Sequence, residues 1–395
     1  MRTYDMFHGL LHHQAKQERL TLLYVAYILR SALFAFLSLF IPIYYYQAAA
    51  GLGFVGNQGW AIMICLMMVV YATNIVAAYS AAKLLRKLGL HHNYLISVMF
   101  LSLFIGGIIM FHSLLGLVIT AVLLGIHFGF WWTTYHVDFI HNGKPHEFGR
   151  EVGAVQGLGI LAGVLSPLVA GFIVQSYGFL ILFSSSSLLV LLLALTLMAI
   201  REERMVQPVN LKIMLGEFTA NKKDTLSNLA LGGESTIAQD LWPLFVFLLL
   251  KEPLLVGILA TVVTLVSFLS RIYGGLISDS FNKKHLEIFG AFSVSASWTG
   301  KFLFPIPFGL VFFEFMHKAT SSFFYVSNQA LAYVHSLTQN KTAYITSREI
   351  SIMAGKIIVL FGCLVIIALD ISIWSILLLG AISPLFVYFI SKSRK

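Results

Sequence analysis

The chain has 395 residues, of which 58% are hydrophobic and 11% charged, with a mean hydropathy of +0.85. A soluble globular protein of this length carries far more surface charge, so the composition excludes that class and points to a polytopic membrane protein. The formal net charge of +9 does not indicate a nucleic-acid partner, because the cations sit almost entirely in loops and span ends on one side.

Continuous Leu, Ile, Val and Phe runs of about 20 residues, the length that crosses ~30 Å of hydrocarbon as a helix, recur along the whole sequence. Twelve are predicted, over 20–46, 60–82, 94–112, 114–140, 153–175, 177–200, 225–250, 253–277, 285–304, 307–335, 346–369 and 371–391. They are not the short alternating segments of a membrane barrel, so the expected fold class is all-α. The first residues, 1–19, read as an amphipathic cytoplasmic lead-in without a signal-peptide core and cleavage site. The longest polar connection, 201–224, is expected to be a cytoplasmic linker between two six-span halves, 20–200 and 225–391, followed by a short tail, 392–395. Its middle, VNLKIMLGEF, suits a helix lying on the membrane surface.

Of the 26 Lys and Arg residues, one (Lys251) falls in a loop opposite the termini and four (Arg30, Lys301, Lys318, Lys356) fall inside spans. The remaining 21 lie on the side of the termini or at its span ends. The positive-inside rule then places both termini in the cytoplasm, and a bacterial inner membrane is the expected location. Cys65 and Cys363 both fall within spans and are expected to be buried free thiols.

The segment GREVGAVQG from Gly149 matches SREISIMAG from Ser347 at an offset of 198 residues, aligning Arg150, Glu151 and Gly157 with Arg348, Glu349 and Gly355. Independently, AAKLLRKLGLHHNYL after span two occupies the place that GGLISDSFNKKHLEI occupies after span eight, at an offset of about 193. Two similar offsets indicate duplication into parallel halves. GLISDSFNKK also resembles the motif G-x-L-x-D-x-x-G-[RK]-[RK] of the major facilitator superfamily, with Gly275, Asp279, Lys283 and Lys284 matching and Ile277 and Asn282 departing. In the first half Ala82 and Arg86 replace the Gly and the Asp. Ala162, Ser166, Pro167, Ala170 and Gly171 resemble a decayed form of that family's span-five antiporter motif, whereas Ala121 stands where its span-four Arg would be.

The resemblance implies twelve helices in two pseudo-symmetric halves and transport by alternating access, with spans one, four, seven and ten lining a central cavity. It also implies a conformational latch at Gly275, Asp279, Lys283, Lys284, Arg150, Arg348 and Glu349. Asp279 is expected to accept from Arg150 and from the N-terminus of span five; in the first half Arg86 is expected to turn to Glu349.

Ionisable residues in hydrocarbon are costly, so each is a site candidate. Arg30, His127, Glu234, Asp240, Glu314, His317 and Lys318 form the expected substrate-binding or coupling set, distributed over those four spans. Arg30 offers a permanent planar charge to an anion, or pairs with Glu234 or Asp240 across the halves. Glu234 and Asp240 suit substrate contact or protonation, and the glycines of GGEST are positioned to thin or break span seven. Glu314 and Lys318, four apart, share a helix face as a self-neutralising pair or as a substrate contact beside His317. His127 is read either as a titrating site or as a packing histidine, His136 and Asp138 as gate or loop residues, and Lys356 as an interhelical partner.

No phosphate-binding loop, nucleophile elbow, HExxH helix or Cys-rich cluster is present, so neither an enzyme nor a cofactor or metal is expected. The reading is a secondary active transporter of a small organic solute, with proton coupling as a hypothesis and a monomer as the family default. A small organic anion or zwitterion suits the charges, with amphipathic export substrates second. A transporter-fold scaffold, sensor or lipid-moving protein is the alternative.

Overall fold

A computed structural model of the chain describes the backbone of residues 2–143, 147–204, 207–280 and 282–391, and the side chains of 18–143, 147–204, 207–277 and 282–387. No strand occurs among the described residues. The first half comprises α1 (Arg2–Leu37), α2 (Phe40–Gly51), α3 (Asn57–Lys87), α4 (Leu90–Met110), α5 (Leu114–Asn142), α6 (Phe148–Ala162) and α7 (Ser166–Met198). After α8 (Leu211–Ala220) follow α9 (Lys222–Thr236), α10 (Trp242–Leu250), α11 (Pro253–Ser280), α12 (Lys283–Leu303), α13 (Pro307–Ser336), α14 (Lys341–Ala368) and α15 (Ile376–Ser391).

These helices make twelve crossings. α1 and α2 share the first, and α6 with the opening of α7 makes the fifth. Gly178, at φ +80°, breaks α7 to begin the sixth, a backbone conformation that costs a glycine little. α9 and α10 share the seventh, and the other long helices each make one. Among the described residues, seven stretches of 21 to 51 residues are apolar and long enough to cross a membrane by length and composition. The seventh, ninth, tenth and twelfth crossings fall outside that criterion for visible reasons. α9 and α10 are interrupted, α12 and α13 carry buried charges, and α15 has 16 residues.

Capping fixes several ends locally. Ser113, Asn210, Asn282 and Asn340 each accept from a backbone N–H of the first turn of α5, α8, α12 and α14. α8 coincides with the stretch expected to lie on the membrane surface, and it packs on α14.

The packing pattern repeats between halves. α3 packs on α5, α4 on α5 and α7, and α1 on α6 and α7; α11 likewise packs on α13, α12 on α13 and α15, and α9 on α14 and α15. The halves meet chiefly through α6 against α11 and its counterpart, α14 against α3. The repeated GREVGAVQG and SREISIMAG segments therefore occupy equivalent interface positions. The perimeter is apolar, with Leu188, Leu195, Ile358 and Phe361 all exposed. This is the face a protein presents to lipid.

Two expectations are corrected. Cys363 is buried, but Cys65 is exposed on α3, because it falls on the helix face turned away from the bundle. The seventh crossing is distorted by a π turn over Ile237–Leu241 rather than at the glycines. Gly232 and Gly233 instead let α9 approach its neighbours: a Cβ on Gly232 would lie 2.0 Å from the Ile352 carbonyl oxygen.

The helix ends bearing the linker define one face of the molecule, called here the linker face. There Arg19 pairs with buried Asp138 at 2.9 Å and with Glu203 at 3.1 Å, tying α1 to α5 and to the linker. The hydrogen bond from His141 holds the Glu203 carboxyl below its ordinary value, against the opposing effect of burial.

Candidate functional site: a cavity between the halves

A cavity of ≈ 400 Å³ lies between the halves. Its wall is drawn from α1, α2, α3, α5 and the start of α7 on one side and from the π turn, α10, α11, α13 and α14 on the other. The lining residues come from the middle of their crossings or from the part nearer the far face, as with Ile41, Pro42, Val246 and Val256.

Toward the linker face the halves are joined. Phe139 and Phe148 of the first half pack on Tyr333 of the second at 5.1 and 5.5 Å between ring centroids, and behind Phe139 Tyr135 stacks on Tyr27 at 4.8 Å within the first half. The Tyr333 hydroxyl is 2.5 Å from His136 Nδ1 and accepts from Gln329 at 2.7 Å. Gln156 donates to Gln329 at 2.8 Å, and His136 Nε2 is 3.4 Å from Glu349. Tyr333→Phe removes the bond across the halves while keeping the ring. It is expected to raise linker-face labelling of a cysteine at Gln329 about fivefold, the equivalent of ~1 kcal/mol; unchanged labelling would show that this bond does not hold the seal.

α11 meets α6 and the opening of α7 at glycines, one contact toward each face of the molecule. A Cβ on Gly275 would lie 2.8 Å from the Gly153 Cα, and one on Gly257 would lie 2.3 Å from the Pro167 carbonyl oxygen. Only glycine permits backbones this close.

Two buried ionic clusters stand on the second-half side. Lys301, fully buried, lies 2.6 Å from Glu314, whose other oxygen is 3.5 Å from Lys318. The Lys301 ammonium also sits 3.7 Å over the Trp298 ring and 4.1 Å over Trp242. In the other cluster Glu234 Oε1 accepts from Trp298 Nε1 at 3.0 Å and lies 2.8 Å from His317 Nε2, while the Tyr325 hydroxyl donates to Oε2. Between the halves, the Tyr71 hydroxyl donates to Asp240 and lies 3.3 Å from Lys356 Nζ. Arg30 is different. Its guanidinium carbon is 4.3 to 4.8 Å from the Phe34, Trp132 and Trp131 rings, and no carboxylate pairs with it among the described residues.

The solved structures that resemble this arrangement include the Escherichia coli fucose:proton symporter FucP (TM-score 0.71, 13% identity, 95% of this chain and 98% of that one). The proton:xylose symporter XylE matches at TM-score 0.73, with 14% identity over 96% of this chain and 97% of that one. The human organic anion transporter MFSD10 matches at TM-score 0.70, with 9% identity over 95% and 99%. The chain has the major facilitator fold. In sequence it is 27% identical over 304 residues to "Uncharacterized protein YqgE" of Bacillus subtilis strain 168, covering 70% of this chain and 68% of that one. No protein-family model matches the chain.

Within this major facilitator fold the sequence-derived candidates separate. Arg30, Asp240, Glu314 and Lys318 line the cavity. Glu234 and His317 form one buried pair behind that wall. His127 also stands away from it, its Nδ1 2.9 Å from both Ser97 Oγ and the Ser97 carbonyl and its ring stacked on Phe34. That is the packing-histidine alternative. The pairing of Arg30 with Glu234 or Asp240 does not form, because those carboxylates are taken by His317, Trp298 and Tyr325 and by Tyr71.

Among the latch residues Gly275 forms the crossing just described. The side chain of Asp279 lies outside the described residues. Arg150 is exposed and 3.9 Å from Glu147. Lys283 and Lys284 open α12, the Lys284 N–H donating to Asn282. Glu349 does not turn to Arg86. It pairs with Arg348 at 2.6 Å and with His136, and Arg86 is solvent-exposed.

Several residues of the site were missed as site residues: Lys301, Tyr71, Tyr333, Trp298 and Gln329. Lys301 carried a signal, being a cation inside a span; the others belong to types too common in this chain to stand out. Lys356, read as an interhelical partner, makes that contact and also lines the cavity.

Proposed function

We propose that the protein is a secondary active transporter that moves a small organic solute by alternating access. The observation that carries this reading is the cavity: it is built from both halves, holds charges near the bilayer midplane, and is sealed on the linker face by contacts that run from one half to the other. A wall assembled from two repeats changes its exposure when they rock about it. A scaffold needs neither the cavity nor the breakable seal.

The distribution of Lys and Arg supports a cytoplasmic linker face and an inner-membrane location, so the arrangement corresponds to a carrier facing outward. One chain supplies both halves, and a monomer therefore suffices. Glu234 with His317 supports proton coupling. The pair is buried behind the cavity wall, one helix turn from the Lys301–Glu314–Lys318 cluster, so a proton gained or lost there changes the charge felt at the site. Two of the solved structures that share the fold, FucP and XylE, are proton symporters, which agrees with this reading without naming the solute.

The test is uptake by vesicles containing the purified protein from a defined mixture of small organic acids, amines and sugars. Accumulation of one class above protein-free vesicles, reduced when the pH gradient is collapsed, is the expected result. Equal contents in both vesicle types contradict transport, and uptake indifferent to the gradient contradicts the coupling.

A further inference from the structure

We propose that the cavity binds an amphipathic organic anion, with the anionic group on Arg30 and the apolar body along the wall toward the far face. This rests on the transport reading above and narrows it to a substrate class.

Arg30 is 4% exposed and stands on the cavity wall. The rings of Phe34, Trp132 and Trp131 approach its guanidinium without supplying a hydrogen-bond acceptor in its plane. Ring faces attract the cation, but the N–H groups radiate from the edge of the guanidinium, where a carboxylate or similar oxyanion binds in a two-point fork. Its Nε is buried and has no acceptor. No carboxylate in the described protein answers this charge.

The other wall cations are answered. Lys318 shares Glu314 with Lys301, and Lys356 reaches Asp240 through the Tyr71 hydroxyl. Arg30, Lys318 and Lys356 against Asp240 and Glu314 leave the wall with one positive charge, before Lys301 is counted. An uncompensated charge at this depth is expensive, and a bound anion is the component that removes the cost. The rest of the wall dictates the remainder of the ligand. Leu39, Ile41, Met67, Val246, Leu259 and Val263 offer apolar contact, and a volume of ≈ 400 Å³ suits a ring-sized body rather than a bare inorganic ion.

The test uses phenylbutyrate, phenylbutyramide and phenylbutylamine, which share an apolar body and differ in head charge, together with sodium chloride. Binding to the full chain in detergent is followed by thermal shift. Phenylbutyrate is expected to bind about tenfold or more tighter than the amide or the amine, the ratio a charge-assisted contact supplies. Arg30→Gln abolishes that preference and Arg30→Lys keeps only part of it, since an ammonium lacks the fork. Equal binding of the three heads to the wild type overturns the proposal and needs no variant. So does a preference that survives in Arg30→Gln, or chloride alone stabilising the wild type as strongly as phenylbutyrate. None of these outcomes bears on whether the halves alternate, which paired labels on the two faces measure without any ligand.

Discussion

Glu314→Gln is expected to destabilise the protein by about 3–5 kcal/mol, the cost of stranding a buried cation without its partner. Lys301 is fully buried and its ammonium is 2.6 Å from Glu314. The two tryptophan rings beneath it attract the charge but cannot accept its protons in place of the carboxylate. The amide left by the substitution keeps the shape of the site and loses its charge, so the loss registers the ion pair rather than a cavity. The companion variant Lys301→Met/Glu314→Gln removes both charges and is expected to recover much of the stability, because a buried pair replaced by groups of similar volume is often close to neutral. The measurement is thermal unfolding of the purified protein in detergent. A single variant as stable as wild type, or a double variant no better than the single, would place the cluster outside the energetics of the fold.

The second large effect is expected at Gly275. Its backbone lies against Gly153 of the opposite half, and a Cβ there would also lie 3.1 Å from the Gly149 carbonyl oxygen. Gly275→Val forces α6 and α11 apart where the halves close the linker face. The glycine contact of α11 with α7 on the far side, at Gly171 and Gly257, is untouched. The variant is expected to leave the chain folded and to shift the population toward an open linker face, raising cysteine labelling at Gln329 by tenfold or more, a change of about 1.4 kcal/mol. Labelling that stays at the wild-type level would mean the glycine contact is not what closes that face.

Much of this architecture is legible in the sequence. Spans declare themselves through length and hydropathy, and the offset of 198 residues between Gly149 and Ser347 marks the α6 and α14 interface segments before any coordinates. What stays hidden is rotational phase. A helix in lipid has no polar outer face to reveal which way it turns, so a charged residue inside a span announces its depth but not its partner. Glu234 and Asp240 illustrate the point. Six residues at about 100° each place them roughly 240° apart on a regular helix, and the π turn between them alters that further. One consequently lines the cavity while the other faces His317 behind it. Lys301 and Glu314 meet across the far-face connection between α12 and α13, a contact no spacing rule encodes. Arg30 is legible as an intramembrane charge, whereas the Phe34 ring one turn along α1 is one of 33 Phe and carries no signal of its own.

The account turns on two halves that move as units about the cavity. Its most direct test is a pair of spin-label distance measurements in the membrane-reconstituted protein: one between Lys87 and His285 at the linker face, the other between Val55 and Leu303 at the far face, compared in wild type and Gly275→Val. All four positions are exposed, and each pair spans the two halves. The account predicts that the variant lengthens the linker-face distance and shortens the far-face distance together. A linker-face change with no far-face counterpart, or no change in either pair, would contradict it.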